Sequence, residues 1–316
     1  MVPKQTGLGQ SHGKIILLGE HAVVYNYPSI AIPFPKTSIQ TIVEKATSHQ
    51  TISCDFYTGL LDDMPELLDS LKEAIHLSLK TLNQETYPLS ITIKSTIPAE
   101  RGMGSSAAVA VATVRGIFDY FDTELTQSKL LELVNTSEKI AHGNPSGLDA
   151  LMTSSSSPYY FIKGQEEVPL NMVLEAYLVV ADTGETGQTK EAVESISQKL
   201  QQKNSLHYQF LISSLGDLPK KGKVALETNQ AKILGNYMTQ AHNILKELDV
   251  SSEKLDELVE ESLSHGALGA KLTGGGRGGC MIALAMDKKS AHEIAQALEV
   301  HGAKQTWVYE MSEQLL

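Results

Sequence analysis

The chain has 316 residues, of which 41% are hydrophobic and 20% charged. At roughly 100–200 residues per domain, this length predicts two domains or one large one, with a core that needs no metal or disulfide staple. The formal net charge of -11 at pH 7 disfavours a nucleic-acid partner, because phosphate backbones are bound by dense basic surfaces.

The cysteines and the hydropathy pattern predict a cytoplasmic protein without a membrane segment. Cys54 and Cys280 are far apart and form no metal-binding spacing, which is typical of ordinary thiols in a reducing compartment. The N-terminus lacks the apolar segment of a signal peptide, and no stretch approaches the ~18 apolar residues of a membrane span.

The first third of the chain predicts strands around one amphipathic helix. Residues 7–32 are rich in β-branched side chains and predict strands interrupted at Gly19-Glu20-His21. Leucine and isoleucine recur at helical spacing over residues 64–83, and apolar residues alternate with polar ones over residues 89–97. These patterns predict a helix followed by a strand with one buried face.

The rest of the chain mixes strands and helices without a regular alternation. A small-residue run predicts a buried helix over 107–121, and Thr126 is the predicted N-cap of a helix that ends before Gly143. The other predicted elements are strands at 159–162, 174–181 and 304–310, a largely helical stretch to residue 264 with a break near Gly216–Gly222, two strand-like pieces over 271–286, and a helix at 292–301.

The predicted class is therefore α+β. A composition shift near Asp182 predicts a domain boundary there, which gives domains of residues 1–182 and 183–316.

A glycine-rich loop follows the strand of residues 89–97. Residues 98–108 read PAERGMGSSAA, so two glycines permit tight turns just before a predicted helix start at Ser105/Ser106. The N–H groups of a helix start suit a polyphosphate, and the serine hydroxyls can cap the helix, bind phosphate or coordinate Mg²⁺. The loop has neither the GK[ST] of a Walker A motif nor a full GxGxxG, so an ordinary turn stays an alternative.

The segment of residues 138–149 carries two carboxylates of interest. Glu138 shares a helical stripe with Leu130, Val134 and His142, which predicts that it faces inward. A buried carboxylate needs a cation or hydrogen-bond donors, so its partner is either a metal ion or a nearby Lys or Arg. Asp149 stands at N3 of a possible capping box that begins at Ser146, so it could simply cap a helix.

A third glycine-rich segment lies between the two strand-like pieces of residues 271–286. Residues 271–280 read KLTGGGRGGC, with five glycines in six residues. A plain hairpin needs only one or two glycines, so this loop favours a close approach of main chain to a ligand.

Together with GKIILLGEH at residues 13–21, these segments resemble the superfamily named for galactokinase, homoserine kinase, mevalonate kinase and phosphomevalonate kinase (the GHMP kinases). The family's three motifs, here residues 13–21, 98–108 and 271–280, occur in the family's order and span nearly the whole chain. Glu20-His21 and the segment 140–149 are similar to the branch that acts on mevalonate. Asn26 and Arg277 depart from the family's usual glycines; Asn tolerates positive φ, and Arg277 adds charge beside the expected substrate cavity.

The resemblance implies a two-domain GHMP fold. Its N-terminal domain would carry the nucleotide loop and a left-handed βαβ crossover, its C-terminal domain would be ferredoxin-like, and the active site would lie in the cleft. It also implies ATP-dependent phosphorylation of the primary hydroxyl of (R)-mevalonate in isoprenoid precursor synthesis, with ATP as co-substrate and Mg²⁺. A homodimer is compatible with this family.

The resemblance also assigns roles to residues. Asp149 would be the general base and Lys14 would stabilise charge on the reacting oxygens, while Ser106 and Glu138 would hold Mg²⁺. The expected nucleotide-binding residues are Pro98, Glu100, Arg101, Gly102, Met103, Gly104, Ser105, Ser106, Ala107 and Ala108. The expected substrate-side residues are Glu20, His21, Thr189, Gly274 and Gly275.

The residues themselves leave other interpretations open. Without the family match, Lys14 could be a solvated strand-edge lysine and His21 an ordinary turn residue. The same fold could phosphorylate phosphomevalonate, homoserine or a sugar, or serve a related decarboxylase. A non-catalytic ATP-binding regulator is disfavoured, because a candidate base, cation and metal ligands are all present.

Overall fold

The computed structural model describes residues 3–143, 145–202 and 205–312, apart from the side chains of residues 141 and 142. Asn144 and the side chain of His142, both in the segment singled out above, therefore lie outside the described residues.

Strands and helices are mixed throughout the described chain, which confirms the α+β class. In chain order the elements are β1 (Thr6–Leu18), β2 (Ser29–Lys45), β3 (Thr51–Cys54), β4 (Tyr57–Leu60), α1 (Asp69–Thr81), β5 (Leu89–Ser95), α2 (Ser105–Tyr120), α3 (Gln127–His142), α4 (Leu148–Ser154), β6 (Tyr159–Phe161), β7 (Val168–Pro169), β8 (Tyr177–Asp182), α5 (Thr189–Leu200), α6 (Ser205–Glu227), α7 (Ala231–Glu247), α8 (Glu253–Ser264), β9 (Gly269–Thr273), β10 (Cys280–Ala285), α9 (Lys288–Val300) and β11 (Gln305–Glu310). Among the described helices, none has the length and apolar character that crossing a membrane requires.

The chain forms two compact units that are discontinuous in sequence. Among the described residues, the first unit takes 3–13, 37–99 and 104–155, and the second takes 14–36, 100–103 and 156–312. The strands β1 and β2 each contribute residues to both units.

The first unit combines a mixed sheet with helices α1 to α4. Residues 39–45 of β2 pair antiparallel with β5, which pairs parallel with β3, and β3 forms a hairpin with β4. In β5 the side chains of Leu89, Ile91 and Ile93 are buried, as their alternation predicts. A Cβ on Gly9 would lie 1.9 Å from the carbonyl oxygen of Ala112, so β1 packs main chain against α2.

The second unit contains a four-stranded antiparallel sheet in the order β11-β8-β10-β9. Helices α5 to α8 connect β8 to β9, and α9 connects β10 to β11. The succession of strands and helices and this strand order are those of a ferredoxin-like sheet. The ferredoxin-like expectation for this part of the chain is confirmed.

The predicted break near Gly216–Gly222 is wrong, because α6 runs continuously through both glycines and through Pro219. The glycines serve packing: a Cβ on Gly216 would lie 2.3 Å from Cδ1 of Tyr27, and one on Gly222 would lie 2.4 Å from Cδ1 of Leu18. At Gly216 the helix approaches Tyr27 at a distance that only glycine allows, so tertiary contacts outweigh the poor helix propensity.

The predicted capping box at Ser146 is also wrong. The N-cap of α4 is Gly147, in a left-handed conformation with φ 87°, and the Ser146 hydroxyl accepts from the N–H of Leu148 at 3.2 Å instead of from that of Asp149. The helix begins at Leu148, as predicted, and with Gly147 as N-cap Asp149 lies in the first turn but not at N3. The predicted cap of α3 is confirmed, since the side chain of Thr126 accepts a hydrogen bond from the N–H of Lys129.

Substituting Gly216→Ala tests the packing of α6. Alanine favours an isolated helix by roughly 1 kcal/mol, but overpacking against Tyr27 costs roughly 1–3 kcal/mol. We expect the free energy of unfolding in urea to fall by about 1–2 kcal/mol. The control is Lys221→Ala in the same helix, where the side chain is exposed and a change below about 0.5 kcal/mol is expected. A stabilised Gly216→Ala variant would contradict the close packing.

Candidate active site

The predicted site residues divide between the two units. The first unit holds Pro98, the residues 104–108, Glu138 and Asp149. The second unit holds Lys14, Glu20, His21, the residues 100–103, Thr189, Gly274 and Gly275.

In the first unit, the glycine-rich loop ends at the N-terminus of α2, as predicted. Gly104 is the N-cap residue and has a left-handed conformation with φ 72°, which favours glycine. Helix α2 begins at Ser105, so the unpaired N–H groups of a 16-residue helix lie at the end of the loop. Such a helix start favours the binding of anions.

The side chains of Met103, Ala107 and Ala108 are fully buried. Any contact that these three residues make with a ligand must therefore come from their main chain, because their side chains belong to the core.

The hydroxyl of Ser106 and the carboxylate of Glu138 are in direct contact. Glu138 is 3% exposed, which confirms that it faces inward. Its Oε1 accepts a hydrogen bond from Ser106 Oγ at 2.6 Å and a longer one from Ser70 Oγ at 3.4 Å. Helix α3 thus presents its carboxylate to the first turn of α2.

This pair of oxygen ligands fits Mg²⁺, which is commonly bound through one or two protein oxygens together with water and substrate phosphates. Among the described residues, no group of three or more His, Cys, Asp or Glu side chains could hold a metal ion. A cation at Ser106 and Glu138 would therefore need further oxygen ligands from a nucleotide or from water.

Asp149 lies in the first turn of α4 and is half-buried. Its main-chain carbonyl accepts a hydrogen bond from Oγ1 of Thr153. Because the predicted capping box does not form, the alternative of Asp149 as an N3 capping residue is removed.

In the second unit, Lys14 lies in β1 and is only 2% exposed. The alternative of a solvated strand-edge lysine is therefore wrong. Its N–H donates a hydrogen bond to the carbonyl oxygen of Met103 at 3.0 Å, so β1 is attached to the glycine-rich loop.

Glu20 forms a fully buried ion pair with Lys271, a residue of β9. Both side chains have no exposure to solvent, and Lys271 Nζ also donates to the carbonyl oxygen of Leu272 at 2.6 Å. Burial raises the pKa of Glu20, and the positive charges of Lys271 and Lys14 act against that rise. Burial likewise lowers the pKa of Lys271, which the Glu20 carboxylate opposes.

His21 is a buried, neutral donor next to this pair. Burial lowers the pKa of its imidazole to about 4, and the nearby charges of Lys271 and Arg277 add to that effect. Its Nε2–H donates to the carbonyl oxygen of Gly275 at 3.1 Å. His21 has φ 59° and therefore occupies a constrained turn with a specific partner, so it is more than an ordinary turn residue.

The glycines of residues 274–279 pack main chain against main chain. A Cβ on Gly274 would lie 2.6 Å from Cα of Gly102, and one on Gly275 would lie 2.1 Å from Oγ1 of Thr189. A Cβ on Gly276 would lie 1.9 Å from the carbonyl oxygen of Val250. One on Gly278 would lie 2.4 Å from that of Thr186, and one on Gly279 would lie 3.0 Å from that of Arg101. Close contact with other segments of the chain, and not only with a ligand, therefore accounts for the glycine content.

The side chain of Arg277 is directed toward the connection between α7 and α8. Its Nε–H donates to the carbonyl oxygen of Asp249 at 3.2 Å, and its main-chain N–H donates to Val250. Its φ of 56° is left-handed, as is the φ of 64° at Asn26, so both departures from the family's glycines keep the conformation that glycine favours.

Two charged residues next to the predicted site were not identified as functional from the sequence. In the sequence, Lys271 is distinguished only as part of the glycine-rich motif, and Asp182 only as the predicted domain boundary. A lysine in an otherwise apolar strand, between Ala270 and Leu272, was the available signal for a buried partner. Nothing local indicates that Asp182 meets Arg101, which lies 2.9 Å away across more than 80 positions of sequence.

Two family profiles match the chain: the GHMP kinases N-terminal domain over residues 69–156 and the GHMP kinases C-terminal domain over residues 223–304. A mevalonate kinase of Pyrococcus abyssi is 33% identical over 93% of this chain and 92% of its own length.

The chain is also similar to solved structures of mevalonate kinases. A mevalonate kinase of Staphylococcus aureus is 34% identical with a TM-score of 0.75, and it covers 98% of this chain and 100% of its own. The L. major mevalonate kinase in complex with R-mevalonate is 25% identical with a TM-score of 0.83, and covers 98% of both chains.

Proposed function

The chain belongs to the GHMP kinases, and we propose that it acts within this family as a mevalonate kinase. It transfers the terminal phosphoryl group of ATP to the primary hydroxyl of (R)-mevalonate and releases 5-phosphomevalonate and ADP, a step of isoprenoid precursor synthesis. The observation that carries this proposal is the likeness to mevalonate kinases along nearly the whole chain. The expected two-domain GHMP fold is confirmed by the same likeness.

We propose that residues 98–108 bind the nucleotide phosphates. The left-handed Gly104 and the N–H groups at the start of α2 support this binding. Because the side chains of Met103, Ala107 and Ala108 are buried, main-chain groups carry most of this binding. The serine hydroxyls of the first helical turn are the polar side chains available there.

Ser106 and Glu138 are the proposed ligands of Mg²⁺. When bound, the metal ion supplies positive charge to the phosphate oxygens. The 2.6 Å contact between Ser106 Oγ and Glu138 Oε1 supports the assignment, because both oxygens could turn toward one cation. Burial of Glu138 keeps its carboxylate in a fixed orientation at the start of α2.

Asp149 is the proposed general base and Lys14 the proposed stabilising cation. Phosphoryl transfer needs positioned reactants and compensated charge more than covalent chemistry from the protein. Asp149 would accept the proton of the attacking hydroxyl, and the ammonium of Lys14 would stabilise negative charge on the reacting oxygens. Burial of Lys14 supports this role, since a charge in a low-dielectric site acts more strongly.

We propose that mevalonate binds beside Glu20, His21, Thr189, Gly274 and Gly275. The neutral imidazole of His21 is fixed by Gly275, and the hydroxyl of Thr189 lies against the same glycine. Glu20 has one buried oxygen, Oε2, without a hydrogen-bond partner among the described residues. These groups provide the donors and acceptors that a small polyhydroxy acid requires.

We propose residues 1–182 as the nucleotide-binding domain and residues 183–316 as the closing domain. We also place the protein in the cytoplasm, which is consistent with the free thiols of Cys54 and Cys280. A homodimer is the assembly proposed for it.

A coupled ADP-release assay with four acceptors tests the substrate. Mevalonate, phosphomevalonate, homoserine and galactose are compared at equal ATP and Mg²⁺ concentrations. We expect kcat/KM for mevalonate to exceed that for each other acceptor by at least about 100-fold, because a site built to hydrogen-bond one substrate discriminates strongly. Faster turnover of another acceptor would refute the substrate assignment and leave the kinase class intact.

The variant Glu138→Gln tests the metal site. Glutamine keeps the shape and the hydrogen bond to Ser106 but removes the charge that attracts a cation. We expect the Mg²⁺ concentration for half-maximal rate to rise by roughly 10–100-fold or more, with little change in melting temperature. Glu132→Gln, at an exposed position of the same helix, is the control and should keep the original Mg²⁺ dependence. An unfolded Glu138→Gln variant, or one with unaltered Mg²⁺ dependence, would identify Glu138 as a structural residue.

The variant Asp149→Asn tests the general base. Asparagine is nearly isosteric but cannot accept the proton of the attacking hydroxyl, so kcat should fall roughly 10²–10⁴-fold. The loss should lie at the low end of this range if the proton leaves late in a loose transition state. The matched control is Asp69→Asn, in the first turn of α1, which should retain its rate. Near-normal turnover of Asp149→Asn would reject the catalytic role.

A further inference from the structure

The side chain of Arg101 leaves the glycine-rich loop and is buried against the end of β8. Its Nε lies 2.9 Å from Oδ1 of Asp182, and Nη2–H donates to the carbonyl oxygen of Gly184 at 3.0 Å. Arg101 is 8% exposed and Asp182 is 2% exposed. The family resemblance places Arg101 among the nucleotide-binding residues, but its guanidinium lies against a carboxylate and a carbonyl of the protein.

Main-chain hydrogen bonds also hold residues 100 and 101. The N–H of Gly187, in the turn after β8, donates to the carbonyl oxygen of Glu100 at 2.7 Å, and the N–H of Cys280, at the start of β10, donates to that of Arg101 at 3.2 Å. Asp182 Oδ1, which faces Arg101, also accepts from the N–H of Gly184 at 2.9 Å. A single buried carboxylate thus orients the arginine and the turn that follows β8.

That turn leads directly to Thr189, the first residue of α5. The N–H of Gln188 donates to the carbonyl oxygen of Gly276 at 3.1 Å, and the Thr189 hydroxyl lies against Gly275. Thr189 is an exposed residue. The position of Thr189 therefore depends on residues 183–188, which Arg101 and Glu100 hold.

We propose that Arg101 and Asp182 form a positioning pair that sets the place of Thr189 and thereby the affinity for the phosphoryl acceptor. This inference rests on the proposed function, and it assigns to a residue of the nucleotide loop an effect on the other substrate. Removing one charge of the pair would leave the other buried without its partner, which shifts the turn of residues 183–188. Small displacements of positioning groups cost large factors in rate or affinity.

The competing interpretation is that Arg101 binds ATP phosphate through its guanidinium. The two interpretations differ in which Michaelis constant responds. A positioning role raises KM for mevalonate, because the loop of Thr189 moves while the start of α2 remains. A phosphate-binding role raises KM for ATP.

The experiment uses the full-length protein and the variants Arg101→Met, Arg101→Lys and Asp182→Asn. For each, kcat and both Michaelis constants are measured in the ADP-release assay, and the melting temperature is recorded. Arg101→Lys keeps a charge beside Asp182 but loses the fixed guanidinium contact with Gly184. It is therefore the variant that tests the pair if Arg101→Met does not fold. The matched control is Arg115→Met, which removes a guanidinium that donates to the carbonyl oxygens of Gln10 and Ser154 in the first unit.

We expect KM for mevalonate to rise about tenfold or more in Arg101→Met and Asp182→Asn, with KM for ATP within about threefold of wild type. Arg101→Lys should show a smaller rise. The double variant Arg101→Met/Asp182→Asn should lose less than the sum of the single losses, because the two residues act as one pair. Arg115→Met should lower the melting temperature without altering either Michaelis constant.

Three results would overturn the inference. The first is that Arg101→Met and Asp182→Asn lower the melting temperature as Arg115→Met does but leave KM for mevalonate unchanged. The second is that they raise only KM for ATP. Additive losses in the double variant would also contradict a pair. If the wild-type protein does not phosphorylate mevalonate, the proposed function is refuted instead. The assay of the wild-type protein alone distinguishes this result from the three above.

Discussion

The close packing of main chain on main chain around residues 273–280 is the constraint on which the second unit depends. The segments 100–103 and 183–189, each far away in sequence, contact this loop at distances where a Cβ atom would collide with a backbone oxygen or carbon. Glycine loses more conformational entropy on folding than any other residue, so five glycines in six residues are unfavourable unless the contacts compensate. Here the contacts hold together the segments that carry the predicted substrate-side residues.

Buried charge is the second organising feature of this unit. Lys14, Glu20 and Lys271 are all within a few per cent of complete burial, and His21 beside them stays neutral. In a low-dielectric surrounding, such charges interact strongly and are costly when left without a partner. The pairing of Glu20 with Lys271 satisfies one carboxylate oxygen and fixes the orientation of the Glu20 side chain.

The local sequence patterns determined much of the fold and part of the site. The alternation in residues 89–95, the Thr126 cap and the helix start at Ser105 all depend on neighbours within a few positions, and each prediction is confirmed. The burial of Glu138 follows from helical periodicity in the same way. The order of the motifs at residues 13–21, 98–108 and 271–280 is by itself sufficient to indicate the GHMP kinases.

Only the tertiary structure decided the features that join residues far apart in the chain. Gly216 and Gly222 appear as helix breakers in the sequence but lie inside α6, because Tyr27 and Leu18 require their small size. The partners of Lys271 and Arg101 are separated from them by 251 and 81 positions, and no local pattern specifies either pair. Periodicity and propensity depend on the conformational preference of one segment. Which residues contact a buried charge or a glycine depends on how distant segments pack together.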